Sequence, residues 1–255
     1  MRDESLPRDR RRLYDDLAWT WPIISPPEDY IEESKKFRDL IIKHSKIEVK
    51  TLLDLGCGGG HNDFTLKRYF EITGVDVSSQ MLEGAKKLNP EVTYLSGDMR
   101  SVRLGKTFDA VTIFDSISYM LTVEELRAAF QTAYVHLNPG GVFLTYMEEE
   151  TPERFTQNKT TVSTHTKGGV EITLIENQYD PDPRDTTFEA TFIFLIRRGG
   201  DLAIEADRHL LGIFPVATWI DLAKKVSFEV TLANLKLDDP NYPEVPILIG
   251  TKPLK

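Results

Sequence analysis

The feature that most constrains the fold of this chain is a glycine-rich turn that directly follows an apolar segment. Residues 52–55 are three leucines and one acid, and four glycines fall within the next five positions, 56–60. Glycine reaches positive φ without a steric penalty and lets the backbone touch a ligand. The pattern predicts a buried strand, a tight turn and then a helix over residues 62–69. The unpaired N–H groups where such a helix begins favour an anionic group.

The spacing beyond the turn indicates a nucleoside-containing cofactor. Residues 71–78 are typical of a second strand, and Asp76 stands 20 positions after Gly56. A carboxylate at that distance can accept hydrogen bonds from both hydroxyl groups of a ribose. A dinucleotide-binding fold would place Gly or Ala at the sixth position of its glycine fingerprint, where this chain has His61. A dinucleotide enzyme is therefore the less favoured alternative.

Two further strands carry recognisable groups. Residues 92–100 are predicted to form a third strand that closes on Gly-Asp-Met, and residues 108–116 a fourth strand that opens with Phe-Asp. The whole series resembles class I S-adenosylmethionine (AdoMet) methyltransferases. Their signature is a D-L-G-C-G-x-G turn, an acid closing the second strand, G-D-[ML] closing the third and F-D-x-[VI] opening the fourth. The resemblance covers about residues 50–147.

The order of predicted elements gives the fold class. Up to residue 150 strands alternate with helices, and the helices are predicted over 28–46 and 122–137, the second with a capping box at Thr122 and Glu125. The fifth strand is predicted over 142–147. This alternation predicts an α/β protein with a Rossmann-like, doubly wound, mostly parallel sheet.

After residue 150 the pattern changes to alternating strands. Turn residues separate four Thr-, Ile-, Val- and Phe-rich segments, which predict an antiparallel β insertion of three or four strands: 160–166, 170–179, 186–198 and 201–214. A helix over 216–225 and two closing strands, over 228–235 and 245–251, are expected to complete the main sheet.

The chain is thus expected to have four parts. They are an N-terminal arm and lid segment (1–27), an AdoMet-binding core (28–150), a β insertion that acts as acceptor cap or dimer surface (151–214), and the C-terminal part of the core sheet (215–255). Within the first part, residues 1–12 are expected to be disordered, with the basic run at 8–12 a solvated arm.

The composition limits which classes of partner are expected. The net charge is −9, from 31 basic and 40 acidic residues, which argues against nucleic acid as the main partner. No apolar run approaches the length of a membrane span, and the first residues lack the apolar core of a signal peptide, so we expect a cytoplasmic protein without membrane partners. The single Cys57 is expected to be a small residue packed beside the cofactor.

The resemblance implies roles for the residues around the turn. Gly56, Gly58 and Gly60 would let the backbone approach the methionyl and sugar parts of AdoMet. Asp76 would bind the ribose diol. Asp54 would orient the loop or meet the cofactor amino group through water, with a structural acid as the equal alternative.

Four more residues are implied in cofactor binding. Asp98 would accept a hydrogen bond from the adenine amino group while Met99 covers the ring face. Phe114, at the end of the fourth strand, would pack near the sulfonium or adenosine, and Tyr14 would close over the cofactor from the N-terminal segment. The neighbouring Asp115 either meets the acceptor or caps the next segment.

The insertion and several short segments resemble a narrower group, the N,N-dimethyltransferases that act on nucleotide-linked amino sugars. The matching segments are the Tyr-Asp pair at 14–15, Asp-Tyr at 29–30, Ser-x-x-Tyr at 116–119 and His-Leu-Leu-x-x-Phe at 209–214. The segment 19–27 departs from the pattern. The resemblance implies a small-molecule acceptor, most plausibly an amine.

Methyl transfer needs in-line placement of an acceptor that presents a lone pair, so a base or a desolvated pocket helps when the acceptor is an amine. Tyr119 and His209 are the candidates for orienting or deprotonating it. No ligand spacing supports a metal site, although Asp115, Glu148 and Glu149 are acids near one sheet edge. The alternatives are a small-molecule O-methyltransferase, a non-catalytic AdoMet-binding module, and a homodimer that pairs through the insertion.

Overall fold

The computed structural model describes residues 9–147, 151–238 and 244–255. Their main sheet has seven strands in the order β10-β11-β5-β4-β1-β2-β3, with β1 to β5 parallel and β11 antiparallel to both β5 and β10. The strands are β1 (Thr51–Leu55), β2 (Glu71–Asp76), β3 (Thr93–Ser96), β4 (Phe108–Ile113), β5 (Leu137–Tyr146), β10 (Glu229–Leu235) and β11 (Val245–Thr251). The prediction of a Rossmann-like, mostly parallel sheet is confirmed.

The described residues form six α-helices, and all but the first pack on the faces of this sheet. They are α1 (Trp21–Ile24), α2 (Ile31–His44), α3 (Asp63–Leu66), α4 (Ser79–Leu88), α5 (Val123–Val135) and α6 (Val216–Lys225). On one face Phe130 of α5 and Trp219 of α6 are fully buried, and on the other Phe37 and Ile41 of α2 are fully buried. Because both faces are covered, the central strands are continuous apolar runs rather than alternating ones.

Two helix starts that border the site are capped by side chains, one of them at the predicted Thr122. Ser78 accepts a hydrogen bond from the N–H of Met81 at the start of α4, and Thr122 accepts one from the N–H of Glu125 at the start of α5. The Glu125 carboxylate accepts from the N–H of Leu121, one residue before the position that a standard capping box uses.

Several predicted boundaries are wrong. The strand predicted over 92–100 ends at Ser96, the strand predicted over 108–116 ends at Ile113, and the helix predicted over 28–46 begins at Ile31. The helix predicted over 62–69 is a single turn, because the N–H groups of Arg68 and Tyr69 bond three residues back and the chain must enter β2 at Glu71. The residues predicted to separate α5 from the fifth strand, 138–141, belong to β5, where a shift in register against β4 accommodates them.

The insertion is a separate four-stranded antiparallel sheet in the order β6-β7-β8-β9, as the sequence predicts. Its strands are β6 (Lys159–Lys167), β7 (Val170–Tyr179), β8 (Thr187–Arg198) and β9 (Asp201–Gly212). The glycine pairs at 168–169 and 199–200 have positive φ and make its outer turns.

The N-terminal segment packs on this second sheet. Leu13, Leu17 and Ile24 form a buried cluster with apolar residues of β7 and β8. Arg12 donates hydrogen bonds to Asp16 and to Glu205 of β9. The expectation of a disordered arm is therefore wrong for residues 9–12, while residues 1–8 lie outside the described residues. The predicted irregular lid consists of α1 and three short 3₁₀ turns, Arg12–Tyr14, Ala18–Thr20 and Pro27–Tyr30.

Candidate active site

The carboxyl ends of β1, β2 and β4 open onto a cavity of about 610 Å³. The strand order reverses between β1 and β4, which is where open α/β sheets bind ligands. The volume lies in the range of small-molecule sites. The cavity therefore occupies the position that the strand order alone would assign to a ligand.

The glycine turn forms one wall of this cavity. Gly56 and Gly58 line it with φ values of 75° and 52°. A Cβ on Gly56 would overlap Ser116 Oγ and lie 2.7 Å from Met99 Cε, so no other residue fits there. Gly60 is not among the lining residues, and its positive φ instead lets the turn pack against Tyr94 and Asn89.

Asp76 is held at the cavity wall by backbone donors. Its Oδ2 accepts from the N–H of Gly58 at 2.9 Å and its Oδ1 from the N–H of Ser78 at 2.8 Å. Burial raises its pKa, and these hydrogen bonds oppose the shift. An ionised carboxylate has about four acceptor positions. One more hydrogen bond per oxygen remains available, which matches a vicinal diol.

Asp98 and Met99 also line the cavity, next to the turn. The Asp98 carboxylate accepts from Arg100, at 2.6 Å from Nη2 and 2.8 Å from the backbone N–H, and these contacts lower its pKa against burial. Arg100 also bonds Glu125. Much of the acceptor capacity of Asp98 is thus used within the protein, and its role towards adenine stays a prediction.

Asp54 precedes the turn near the end of β1 and lines the cavity. It is 1% exposed and accepts from Thr112 Oγ1 at 3.0 Å. Burial and the neighbouring Asp63 raise its pKa well above the usual range, and burial raises that of Asp63 to about 7. Burial therefore disfavours the doubly ionised form of this pair. Phe114 lines the cavity but stacks on Phe37 with ring centroids 4.6 Å apart, so most of its surface is core.

The opposite wall carries a chain of hydrogen bonds from the cavity into the insertion. The hydroxyls of Tyr14 and Tyr119 are 3.1 Å apart, and Tyr119 Oη lies 2.6 Å from His209 Nδ1. His209 Nε2 lies 2.7 Å from Asp207 Oδ2, and both side chains have no exposed surface. The two tyrosines line the cavity, and the histidine and aspartate stand behind them. We call these four residues the relay.

Protonation within the relay follows from its donors and acceptors. Burial raises the pKa of Asp207, but hydrogen bonds from His209 and from the N–H groups of Leu13 and Arg208 outweigh it, so the net shift is downward. An ionised carboxylate only accepts, so His209 Nε2 carries a hydrogen. Nδ1 is then the ring atom that hydrogen-bonds the Tyr119 hydroxyl, whose own pKa is raised by burial.

Two contributors were missed by the sequence reasoning. Asp207 stands two residues before His209 on β9 and so shares its face, a signal that period-two spacing provides. Arg11 lies over the Tyr119 ring, 4.6 Å from its centroid, and pairs with Asp9. No sequence pattern indicated Arg11, because only folding brings the arm to the cavity.

Three other expectations concern a metal site, a membrane span and the single cysteine. Within 9–147, 151–238 and 244–255, no group of three or more His, Cys, Asp or Glu side chains is placed to hold a metal ion. Glu148 and Glu149 lie outside the described residues. No helix among the described residues is long and apolar enough to cross a membrane. Cys57 lines the cavity as a buried free thiol, and burial raises its pKa.

The strand order, the glycine turn at the switch point and the acid that closes β2 together give a Rossmann-like fold of the kind found in class I AdoMet-dependent methyltransferases. Comparisons with known proteins agree. A family model described as "Methyltransferase domain" matches residues 52–141. By these matches the chain is similar to AdoMet-dependent methyltransferases, and among them to enzymes of amino-sugar N-methylation.

Two relatives come from Streptomyces. The dTDP-3-amino-3,4,6-trideoxy-alpha-D-glucopyranose N,N-dimethyltransferase of Streptomyces venezuelae is 40% identical over 45% of this chain and 49% of its own length. The dTDP-3-amino-3,6-dideoxy-alpha-D-glucopyranose N,N-dimethyltransferase of Streptomyces fradiae is 32% identical over 59% of each chain. The chain thus spans about half of the length of the curated relatives that it matches.

Solved structures align over more of the chain. Streptomyces venezuelae DesVI superposes with a TM-score of 0.78 and 25% identity, covering 97% of this chain and 100% of DesVI. SAM-bound CalS10, an amino pentose methyltransferase from Micromonospora echinaspora, superposes with a TM-score of 0.76 and 24% identity, covering 88% of this chain and 91% of CalS10. The second sheet is therefore part of the shared fold.

Proposed function

We propose that this protein transfers a methyl group from AdoMet to the amine of a small molecule. The observation that carries the proposal is that one cavity joins two walls: the glycine turn with Asp76, and the relay that ends at Tyr119. The first wall suits a nucleoside cofactor and the second suits proton transfer to or from an acceptor. Two of the relatives named above are N,N-dimethyltransferases of amino sugars.

The first wall would hold the cofactor. Asp76 would accept from both ribose hydroxyls through its remaining lone pairs, and Gly56 and Gly58 would let the backbone approach the methionyl and sugar parts. Asp98 and Met99 would border the adenine. We also assign cofactor contacts to Tyr14, Phe114 and Asp54. Gly60 would contribute through the shape of the turn. AdoMet, when bound, supplies a methyl group on a sulfonium that leaves readily.

The relay would prepare the acceptor. A protonated amine has no lone pair, so one proton must leave the nitrogen. Tyr119 would take that proton on its oxygen as its own moves to His209 Nδ1, and Asp207 would hold the imidazole in position and offset its charge. The raised pKa of the free Tyr119 phenol means that the phenolate is not populated beforehand, so the two transfers occur together.

The remaining assignments concern the acceptor and the assembly. We propose that the insertion and the N-terminal segment cap the acceptor, since both contribute to the relay wall. A nucleotide-linked amino sugar is the finer proposal for the acceptor, supported by the relatives' names. Pairing of two copies through the insertion, and a cytoplasmic location, stay predictions, and light scattering tests the first.

The experiment that tests this function is transfer of labelled methyl from AdoMet to a panel of small acceptors. Nucleotide-linked amino sugars and simple amines are compared with their hydroxyl analogues. The proposal expects label on amines. Label on hydroxyls alone would replace it with O-methylation, and AdoMet binding without label on any member would replace it with a non-catalytic binding module.

A further inference from the structure

One part of the cavity is lined by aromatic side chains that contact one another. The Tyr14 and Trp21 rings are 5.9 Å apart between centroids, Trp21 and His61 are 6.0 Å apart, and His61 and Tyr30 are 5.5 Å apart. All four side chains line the cavity, and we call them the aromatic cage. Trp21 and His61 adjoin the glycine turn, since a Cβ on Gly59 would lie 3.2 Å from each of them. The cage thus borders the wall assigned to the cofactor.

A carboxylate faces the same part of the cavity. Asp115 follows Phe114 at the carboxyl end of β4 and lines the cavity. Burial is the main cause of the raised pKa values of Tyr14 and Tyr30. The negative charge of Asp115 raises both further. Among the described residues its side chain has no hydrogen bond or ion pair, and although the residue is exposed to the cavity, the surrounding protein desolvates the carboxylate and raises its pKa to about 6. Water in the cavity reaches this carboxylate, but no protein group compensates its charge.

The positively charged groups nearby do not neutralise the Asp115 carboxylate. Arg11 is paired with Asp9, and Arg100 is paired with Asp98 and Glu125. His61 is neutral at physiological pH, because burial lowers its pKa to about 4. Arg10 lines the cavity from an exposed position, without contact to Asp115. The negative charge of Asp115 is therefore left for a ligand.

We propose that Asp115 and the aromatic cage form a cation subsite that selects an acceptor whose amine arrives as an ammonium ion. The proposal rests on the proposed function and deepens it by naming the charge of the acceptor group. Aromatic faces attract ammonium ions through their quadrupoles, and a carboxylate among them adds a charge-assisted hydrogen bond. Recognition then resides in the amine itself, whatever scaffold carries it.

The subsite lies next to the group that removes the proton. Tyr14 belongs to the cage and lies 3.1 Å from the Tyr119 hydroxyl. An ammonium bound by Asp115 can therefore pass one N–H proton to Tyr119 while Tyr119 passes its own to His209 Nδ1, and the lone pair returns to nitrogen. Asp115 binds the cation in this scheme, and the relay carries the proton.

The test uses the full chain saturated with S-adenosylhomocysteine, which lacks the methyl group. Cyclohexylammonium and cyclohexanol share one ring and differ in charge, and each is titrated by calorimetry at neutral pH. Wild type is expected to bind the ammonium about tenfold or more tightly than the alcohol. Asp115→Asn keeps the shape and removes the charge, so it should lower ammonium affinity by about tenfold or more and leave the alcohol unchanged.

Two further variants sharpen the result. Trp21→Leu removes one face of the cage and is expected to weaken ammonium binding by about threefold to tenfold, again without effect on the alcohol. Asp221→Asn makes the same charge change on α6, outside the cavity, and should alter neither titration. Ammonium affinity that is the same in wild type and Asp115→Asn would overturn the proposal.

The cofactor's own amino group is the competing cation. If Asp115→Asn weakened binding of S-adenosylhomocysteine rather than of cyclohexylammonium, the carboxylate would belong to the cofactor and the acceptor assignment would be overturned. Failure of wild type to bind S-adenosylhomocysteine would instead refute the proposed function. Binding of S-adenosylhomocysteine with no preference for the ammonium would refute the cation subsite alone.

Discussion

The two walls of the cavity are built in opposite ways. The cofactor wall comes from the ends of β1 and β2, where backbone N–H groups of Gly58 and Ser78 fix one carboxylate. The relay wall joins side chains from three distant segments, with Tyr14 and Tyr119 separated by 105 residues and Tyr119 and His209 by 90. The first wall is set by main-chain geometry, and the second by side-chain contacts between separately formed parts.

This difference has a consequence for how each wall fails. A change in the turn alters backbone positions and should damage binding and folding together. A change in the relay removes one link of a hydrogen-bonded chain and should damage turnover while the cofactor still binds. The two walls are therefore separable by mutation, and the following changes test that separation.

The largest effect is expected from Gly56→Ala. Gly56 and Gly169 have similar φ values, 75° and 78°, but only a Cβ on Gly56 overlaps other atoms. Positive φ alone costs a non-glycine residue about 1–2 kcal/mol. Gly169→Ala should therefore cost about that much, whereas Gly56→Ala should also abolish AdoMet binding. Urea unfolding and calorimetry measure both, and equal effects of the two variants would contradict the tight packing of the turn.

The next effect is expected from Asp207→Asn. Asparagine can keep the acceptor for the Leu13 N–H but loses the charge that supports His209. Since general acid–base catalysis contributes about 10²-fold or more, kcat should fall by about that factor, with a changed pH profile. The AdoMet dissociation constant should stay within about threefold, because Asp207 lies outside the cavity.

His209→Gln provides the second arm of that experiment. If Asp207 acts through His209, the double variant should be no slower than His209→Gln alone, since removing either residue breaks the same chain. Rates that multiply would show that the two residues act independently. A loss of AdoMet affinity equal to the loss of kcat would mean that the relay supports the fold rather than turnover.

A smaller effect is expected from Asp98→Asn. The Asp98 carboxylate is already bonded by Arg100, so replacing it should weaken AdoMet by no more than about tenfold. Calorimetry at low and high salt provides the measurement. A loss of a hundredfold would show that Asp98 binds the adenine directly, as the sequence resemblance implies.

The smallest effect is expected on stability, from Asp115→Asn. Burial raises the pKa of Asp115 to about 6, above the value of about 3.9 for an unfolded aspartate. Its stabilising contribution is thus present below about pH 4 and is lost as the pH rises through about 6. Because Asp115 is exposed to the open cavity, water screens most of this cost, so Asp115→Asn should raise Tm by no more than about 1–2 °C at neutral pH, and the gain should vanish towards pH 4. A gain that is independent of pH would contradict the burial of this charge.

The two walls also differ in how far the sequence predicts them. The turn and Asp76 are contiguous with their strands, so local patterns located them, and the bounds of α6 over 216–225 were correct for the same reason. Asp207 and Arg11 were missed because their partners are set by tertiary packing. The length of α3 was overestimated, because local helix propensity carries no information about where the chain must enter β2, at Glu71.

The measurement that tests the account most directly is titration of AdoMet into wild type and Asp76→Asn by calorimetry. Asparagine replaces an acceptor of two hydroxyls by a group with one acceptor and one donor, and it leaves strand β2 in place. The account predicts one AdoMet site in wild type and a loss of affinity of about a hundredfold or more in Asp76→Asn, with Tm lowered by only a few degrees because asparagine can accept from just one of the Gly58 and Ser78 N–H groups. Equal affinity in the two proteins would contradict the assignment of this wall to the cofactor.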